Sequence, residues 1–308
     1  MGEEKEQDRP NEFVIISANP KSGSRNRLTL VAELKKSIEQ AGYDCELHTD
    51  LSQMESRAQD LANEGRLRTV VAAGGDGTAS MVASLIPTHI PITLFPIGSE
   101  NLLAKFFSIV AESEHCVKSI QRLRTKSIDV MTANGNLCLL MASVGFDAEV
   151  VRQVHQSRKS HITRWSYWTA ILSTLARYRW PNLKIVIRDE NDHVREETKG
   201  SWVFIFNVPR YAAGLAIIED AIENDGMLDI GIFDCGGLLN GLWCYWAVAR
   251  GKHHQLKQWR RFPCRSISIE STNDFGKDNQ PSCQTDGDWA CDLPVIIQLT
   301  DRKLEIVF

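Results

Sequence analysis

Thr69-Val70-Val71-Ala72-Ala73-Gly74-Gly75-Asp76-Gly77-Thr78 is the stretch from which the rest of the chain can be read. Its first half is a short apolar, partly β-branched run, the pattern of a strand covered on both faces. Its second half is a glycine-rich turn. Residues 79–86 then read as a helix and lead to another apolar run at 92–95. In the other direction lies Phe13-Val14-Ile15-Ile16-Ser17-Ala18, broken by Asn19-Pro20-Lys21-Ser22-Gly23-Ser24. Residues 27–41 carry Leu28, Val31, Leu34 and Ile38 at helical spacing and stop at Gly42. Residues 45–49 read as a strand, and 53–63 as a helix stopped by Gly65. Apolar strands alternating with amphipathic helices predict a parallel α/β sheet.

The pattern changes near residue 127. Strands are expected at 127–133, 137–142, 183–188, 201–207, 228–233, 266–271, 295–299 and 303–308. Turn pairs such as Asn134-Gly135, Asp225-Gly226 and Asp286-Gly287 separate them, and helical stretches are expected at 150–179 and 238–250. Strand after strand with turns between predicts an antiparallel β-sandwich. The fold class expected is therefore α/β plus β: an α/β domain over 12–127 and a mostly-β domain over 128–308. Ligand is expected in the cleft between them, at the C-terminal ends of the first domain's strands.

Composition narrows the classes. The chain has 308 residues, 43% hydrophobic and 24% charged, with a formal charge of −4. That is ordinary globular composition, which excludes disordered, collagenous and repeat-array readings. The near-neutral balance argues against nucleic acid as a partner. No apolar run reaches the roughly 20 residues of a membrane-spanning helix. Met1-Gly2-Glu3-Glu4-Lys5-Glu6 is acidic and polar, unlike a secretory signal, so a cytoplasmic location is expected. The eight cysteines, at 45, 116, 138, 235, 244, 264, 283 and 291, form no Cys-x-x-Cys pair. They are expected to be reduced and buried, in neither a disulfide nor a zinc framework. His253-His254 is expected on a surface turn rather than at a metal.

Three loops follow apolar strands of the first domain: Asn19-Pro20-Lys21-Ser22-Gly23, Gly74-Gly75-Asp76-Gly77-Thr78 and Pro96-Ile97-Gly98-Ser99-Glu100-Asn101. In a parallel sheet all three emerge on one edge. Glycines let backbone amides approach an anion, each loop leads into a helix N-terminus, and Ser22, Thr78 and Ser99 add hydroxyl donors. Such an edge would cradle a polyphosphate. Asp76 among phosphates is repulsive unless it holds Mg²⁺ or takes a proton from an attacking hydroxyl.

Gly74-Gly75-Asp76-Gly77-Thr78 resembles the GGDGT motif of the diacylglycerol kinase catalytic-domain family, which includes sphingosine kinases and YegS-like lipid kinases. Asn19-Pro20-x-Ser22-Gly23 resembles its NPxSG loop, and Phe95-Pro96-Ile97-Gly98-Ser99-Glu100-Asn101 its LPLGTGN loop. Gly145-Phe146-Asp147-Ala148, Asn224-Asp225-Gly226-Met227-Leu228-Asp229 and Asp286-Gly287-Asp288 resemble three further motifs in the family's order. The resemblance implies an NAD-kinase-like α/β domain followed by a β-sandwich, and Mg²⁺-dependent transfer of the γ-phosphoryl group of ATP to a lipid hydroxyl. It implies that Asn19, Pro20, Lys21, Ser22, Gly23, Thr49, Gly74, Gly75, Gly77, Thr78, Ala79, Ser80, Gly98, Ser99 and Asn101 hold the nucleotide. Arg158 and Arg164 keep the spacing of two phosphate-contacting arginines. Asp76 would act on the acceptor hydroxyl, and Asp288 stands where the family has a catalytic or metal-linked Glu. Asp225, with the carbonyls of Ile222 and Met227, would hold a structural Mg²⁺.

Three positions depart from the family pattern. Asp288 is one methylene, about 1.5 Å, shorter than Glu. Glu100 stands where a phosphate-loop glycine is expected, and would either oppose phosphates or point outward at a helix N-terminus. The family's glycine-rich acceptor-side segment is thinned to Asn207-Val208-Pro209-Arg210-Tyr211-Ala212-Ala213-Gly214. An NAD kinase-type enzyme, or a member that binds nucleotide or lipid without turnover, are the alternatives.

Two acid-free stretches are rich in basic and aromatic residues. Between Glu149 and Asp189 lie Arg152, Arg158, Lys159, Arg164, Arg177, Arg179, Lys184 and Arg188, with Trp165, Tyr167, Trp168, Tyr178 and Trp180. Between 235 and 269 lie Arg250, Lys252, Lys257, Arg260, Arg261 and Arg265, with Trp243, Tyr245, Trp246 and Trp259. Basic side chains attract anionic headgroups, and Trp and Tyr favour the bilayer interface, so segments 150–188 and 235–269 are candidates for peripheral contact with the inner membrane surface. Ordinary packing under a solvated basic face, or an anionic protein or nucleic-acid partner, accounts for the same pattern.

Overall fold

The computed structural model describes residues 12–18, 25–156, 171, 173–174, 178–209, 217–273, 276 and 280–308. The chain forms two compact units, one running through Ile128 and including Leu304–Phe308, the other Asp129–Lys303.

The first unit alternates strand and helix: β1 (Phe13–Ala18), α1 (Arg25–Gln40), β2 (Asp44–His48), α2 (Leu51–Asn63), β3 (Leu67–Gly74), α3 (Asp76–Leu85), β4 (Ile92–Pro96), α4 (Leu102–Phe106) and α5 (Ser113–Arg122). The strands are ordered β2-β1-β3-β4, all parallel. Ile306 and Val307, near the C-terminus, pair in parallel with Ile92 and Thr93 of β4. Val14, Ile15, Ile16, Val70 and Val71 are fully buried, as continuous apolar strands of a covered sheet should be. α1 turns Val31, Leu34 and Ile38 inward, but Leu28, expected on the same face, is exposed. α2 begins where the Asp50 carboxylate accepts the Gln53 amide at 2.9 Å. It ends at Gly65, whose φ of +68° suits a residue without a side chain. α5 was not legible as a helix because only Cys116, Ser119 and Ile120 of its ten residues are buried.

β5 (Thr125–Ala133) leads into the second unit. There follow β6 (Asn136–Cys138), β7 (Met141–Val144), α6 (Phe146–Gln156), β8 (Leu183–Arg188), β9 (Val194–Gly200), β10 (Trp202–Phe206), β11 (Leu228–Phe233), α7 (Leu238–Ala249), β12 (Trp259–Cys264), β13 (Ser266–Ser271), β14 (Ser282–Thr285), β15 (Asp288–Asp292) and β16 (Val295–Val307). One antiparallel sheet runs β12-β11-β10-β7-β14-β15. Another set pairs β16, β13, β8 and β9 antiparallel, with β5 joined to β16 and β6. Ile185, Ile187, Val203, Ile205, Ile230, Ile232, Ile267 and Ile269 form one buried cluster, the core of a two-layer β unit.

Several expectations are corrected. The sequence pattern predicts no strand at β9, β12, β14 or β15. Among the described residues β9 (Val-Arg-Glu-Glu-Thr-Lys-Gly) pairs only with β8 and is mostly exposed, so it carries no apolar alternation. The run expected at 137–142 is two strands broken at Leu139-Leu140, and 295–299 with 303–308 is the single strand β16. Of the helix expected over 150–179, α6 covers the start, and 157–170 lies outside the described residues. Cys235 and Cys244 form a disulfide, contrary to the all-thiol expectation. The inward face of α7 brings Cys244 within 6.7 Å, Cα to Cα, of Cys235, three residues before the helix starts. His253 is not on the surface. It is buried beside Phe233 and Trp259, with Nε2 2.8 Å from the Ile217 carbonyl. Among the described residues no helix is long and apolar enough to cross a membrane.

Candidate active site

β3 and β4 are parallel neighbours with Gly74 opposite Pro96, so the turns that follow them lie side by side. They are joined by backbone bonds: the amides of Ile97 and Gly98 donate to the Gly74 carbonyl at 3.1 and 3.2 Å. The glycines permit this contact. A Cβ on Gly98 would lie 2.3 Å from the Gly75 Cα and 2.5 Å from Asn101 Oδ1. A Cβ on Gly74 would lie 2.2 Å from Thr78 Oγ1. At these positions glycine serves loop-on-loop packing first.

Asp76 fastens the two turns together. It opens α3, and its carboxylate accepts the amides of Leu102 at 2.9 Å and Leu103 at 3.0 Å, the first amides of α4. Asn101, with a left-handed φ of +51°, carries the chain into α4. Its Nδ2 donates to the carbonyls of Pro96 at 3.2 Å and Gly98 at 3.1 Å, while its Oδ1 is buried and unpartnered. A cavity of about 10 Å³ lies among Gly74, Gly75, Asp76, Asn101 and Leu103, room for about one water and far too small for a nucleotide. Gly75, the residue before α3, offers no side chain to cap it, and the Asp76 carboxylate in the first turn is turned to the amides of α4.

The other first-unit candidates differ in exposure. Ala79 and Thr78 are buried, the Thr78 side chain packing on Gly74, while Gly77 and Ser80 are half-buried. Ser99 is exposed, as is Thr49, which directly follows β2. Glu100 points outward: its side chain is 57% exposed and lies 3.7 Å from Lys105 Nζ. Asn19, Pro20, Lys21, Ser22 and Gly23, and likewise Arg158 and Arg164, lie outside the described residues.

In the second unit Asp288 is exposed at the head of β15, on the hairpin formed with β14. Asp286, two residues earlier, anchors that hairpin. Its carboxylate accepts the amides of Leu139 at 2.9 Å, Leu140 at 2.8 Å and Met141 at 3.1 Å, and the Cys138 thiol at 3.2 Å. Burial, with this carboxylate beside it, pushes the Cys138 thiol well up. Asn207 braces the same segment, its Nδ2 donating to the carbonyls of Asp129 and Leu139 at 2.7 Å each. Asp147 is buried at the start of α6 and accepts from the Ser143 hydroxyl and, at 2.6 Å, from Trp202 Nε1. Asp225 is exposed and accepts the Met227 amide at 2.9 Å, with Ile222 also exposed. Lys303 Nζ reaches the same loop, 2.8 Å from the Asn224 carbonyl and 3.2 Å from Asp129 Oδ1.

Both domains have counterparts. The diacylglycerol kinase catalytic domain matches residues 13–133, and the YegS C-terminal NAD kinase beta sandwich-like domain matches residues 140–308. The chain belongs to the diacylglycerol kinase catalytic-domain family. Membership makes it a lipid kinase, a phosphotransferase that draws on ATP. Among its relatives, a diacylglycerol kinase of Mycobacterium tuberculosis is 25% identical over 245 residues, 77% of this chain and 76% of that one. A YegS-like lipid kinase of Pectobacterium atrosepticum, named as probable, is 23% identical over 282 residues, 88% and 90% of the two chains. A crystal structure of a diacylglycerol kinase from Bacillus anthracis superposes with a TM-score of 0.64 at 16% identity, covering 97% of each chain, and shares the fold.

Two residues of this kinase escaped sequence reading as anchors. Asp286 was visible in an Asp-Gly turn, but nothing in the sequence says that its carboxylate gathers three amides from residues 139–141. Asn207 was read only as part of a thinned glycine segment, of which 210–214 lies outside the described residues. Among the described residues no three His, Cys, Asp or Glu side chains are grouped to share a metal.

Proposed function

We propose that this kinase transfers the γ-phosphoryl group of ATP to the hydroxyl of a diacylglycerol-like or sphingoid-like lipid, with Mg²⁺ as the metal. The observation that carries the reading is the pair of interlocked turns after β3 and β4, with Asp76 held between them and the uncapped start of α3 behind them. The helix end and the turns favour phosphate oxygens, and fixed dipoles cost no reorganisation when charge shifts. The two amides fix where the Asp76 carboxylate lies, which suits a group that must receive one proton along one direction. The acceptor hydroxyl gives its proton to Asp76 as its oxygen bonds to the γ-phosphorus. The bond from that phosphorus to the β–γ bridging oxygen breaks, and ADP leaves with the electron pair.

Mg²⁺, when bound, neutralises charge on the phosphate oxygens. The carboxylate and carbonyl oxygens at Asp225, Ile222 and Met227 are hard donors suited to a second, structural Mg²⁺, although Lys303 already brings positive charge to that loop. We assign Asp288 the role of a second, acceptor-side carboxylate. Residues 19–23, Thr49, 74–80, Gly98, Ser99 and Asn101, with Arg158 and Arg164, are assigned to the nucleotide. Segments 150–188 and 235–269 are assigned to peripheral membrane contact, in keeping with a lipid acceptor and a role in lipid metabolism.

The test is incubation with γ-labelled ATP, Mg²⁺ and a total lipid extract, with NAD as a parallel acceptor. Label in a phospholipid product, abolished by a chelator, is expected. Labelled NADP without labelled lipid would favour an NAD kinase-type reaction, and nucleotide binding with no product would leave a binding protein.

A further inference from the structure

α7 separates its side chains sharply. Gly241, Cys244, Ala247 and Val248 are buried. A Cβ on Gly241 would lie 1.8 Å from Trp180 Cζ2, so the helix rests directly on that indole. Trp180 in turn stacks on Phe146, with ring centres 5.8 Å apart and planes 16° from parallel. Cys244 is bonded to Cys235. The inward face is thus packed and fastened.

The outward face is also apolar. Leu239, Leu242, Trp243 and Trp246 follow i, i+3, i+4, i+7 spacing and are 81%, 39%, 51% and 41% exposed. A stripe at this spacing ordinarily faces a core, whereas here it is turned away from one. Trp243 and Trp246 stack with ring centres 5.0 Å apart. One turn on, the Arg250 guanidinium lies 4.7 Å from the Trp246 ring centre. Lys252 and Lys257 follow, both exposed, and no Asp or Glu occurs from 235 to 269.

We propose that this stripe docks the kinase on an anionic lipid bilayer. Leu239, Leu242, Trp243 and Trp246 enter the interfacial region, and Arg250, Lys252 and Lys257 meet headgroup phosphates. Each part has its physical reason. Burying leucine and indole removes apolar surface from water, Trp favours the headgroup boundary, and bases near an anionic surface add electrostatic attraction. A second copy of the chain would present the same bases and no acids on this patch to pair with them. The proposal rests on the lipid-kinase reading only in that a lipid acceptor brings the enzyme to a bilayer; the contact itself needs neither nucleotide nor turnover.

Co-sedimentation with phosphatidylcholine vesicles, with and without phosphatidylglycerol, tests it on the full chain. The expected result is binding to the anionic vesicles that falls with salt, and an about tenfold or greater loss of partition in Trp243→Gln/Trp246→Gln. Arg250→Gln/Lys252→Gln is expected to weaken the preference for phosphatidylglycerol. A vesicle lipid brominated in its acyl chains is expected to quench tryptophan emission, and to quench it less in Trp243→Phe/Trp246→Phe, which keeps the apolar contact and so the fold. Turnover on a short-chain acceptor dispersed as monomers is expected to match the parent in all three variants. Unchanged vesicle partition in Trp243→Gln/Trp246→Gln overturns the proposal. So does a sedimenting dimer that this variant abolishes while vesicle binding persists. Vesicle binding without turnover on any lipid would sink the kinase reading and leave the docking surface standing.

Discussion

Asp76 serves two ends at once. Its carboxylate caps α4 through Leu102 and Leu103, and it is the group assigned to the acceptor proton. The two roles separate by substitution. Asp76→Ala removes both oxygens and leaves two helix-start amides unbonded, and is expected to cost about 1–2 kcal/mol of stability as well as turnover. Asp76→Asn keeps one acceptor oxygen but no basic carboxylate. It is expected to melt closer to the parent while losing about a hundredfold or more in turnover, the usual worth of a general base. Thermal unfolding beside phosphoryl-transfer rates checks this, and near-parental turnover in Asp76→Asn would reduce the residue to a helix cap. Glu100 carries less weight than its charge suggests, because its side chain lies out in solvent with Lys105.

The β14–β15 hairpin is held less by its own ladder than by Asp286 at its tip. A bulge between Cys283 and Gln284 interrupts the pairing, and no residue of β15 is fully buried. The carboxylate of Asp286 instead ties the turn to buried amides at 139–141, and the Gln284 side chain accepts the Gly287 amide at 2.9 Å. Asp286→Ala strands those amides and is expected to destabilise the kinase by about 3 kcal/mol. Because Asp288 rides on the same hairpin, turnover is expected to fall further than the unfolded fraction explains. Denaturant titration with activity measured at a temperature where both proteins remain folded makes the comparison; equal activity there would detach Asp288 from the mechanism.

Across the kinase as a unit, the buried His253 is a group whose titration couples folding to pH. Burial holds the His253 pKa below its ordinary value of 6.5, despite the Ile217 carbonyl that favours the charged form. His253 in the unfolded chain therefore binds its proton at a higher pH than in the folded one. The stability this provides is complete above pH 6.5 and is lost as pH falls from there through the folded value. Denaturant midpoints measured on either side of that pH should show a decline toward acid that is smaller in His253→Gln. An equal acid decline in the variant would assign the effect to other groups. The parallel strands of the first unit and the turns after β3 and β4 were legible in the order of residues, because a strand covered on both faces must be continuously apolar and a tight approach of backbones must spare a Cβ. The edge strands β9 and β15 were not, since one exposed flank imposes no such pattern. Nor was the grip of Asp76 on α4, the clasp of Asp286 on 139–141, the bond between Cys235 and Cys244, or the outward turn of the α7 stripe. Each of these depends on which distant groups meet in space, and periodicity along a chain records only whether a face is apolar, not what it finally faces.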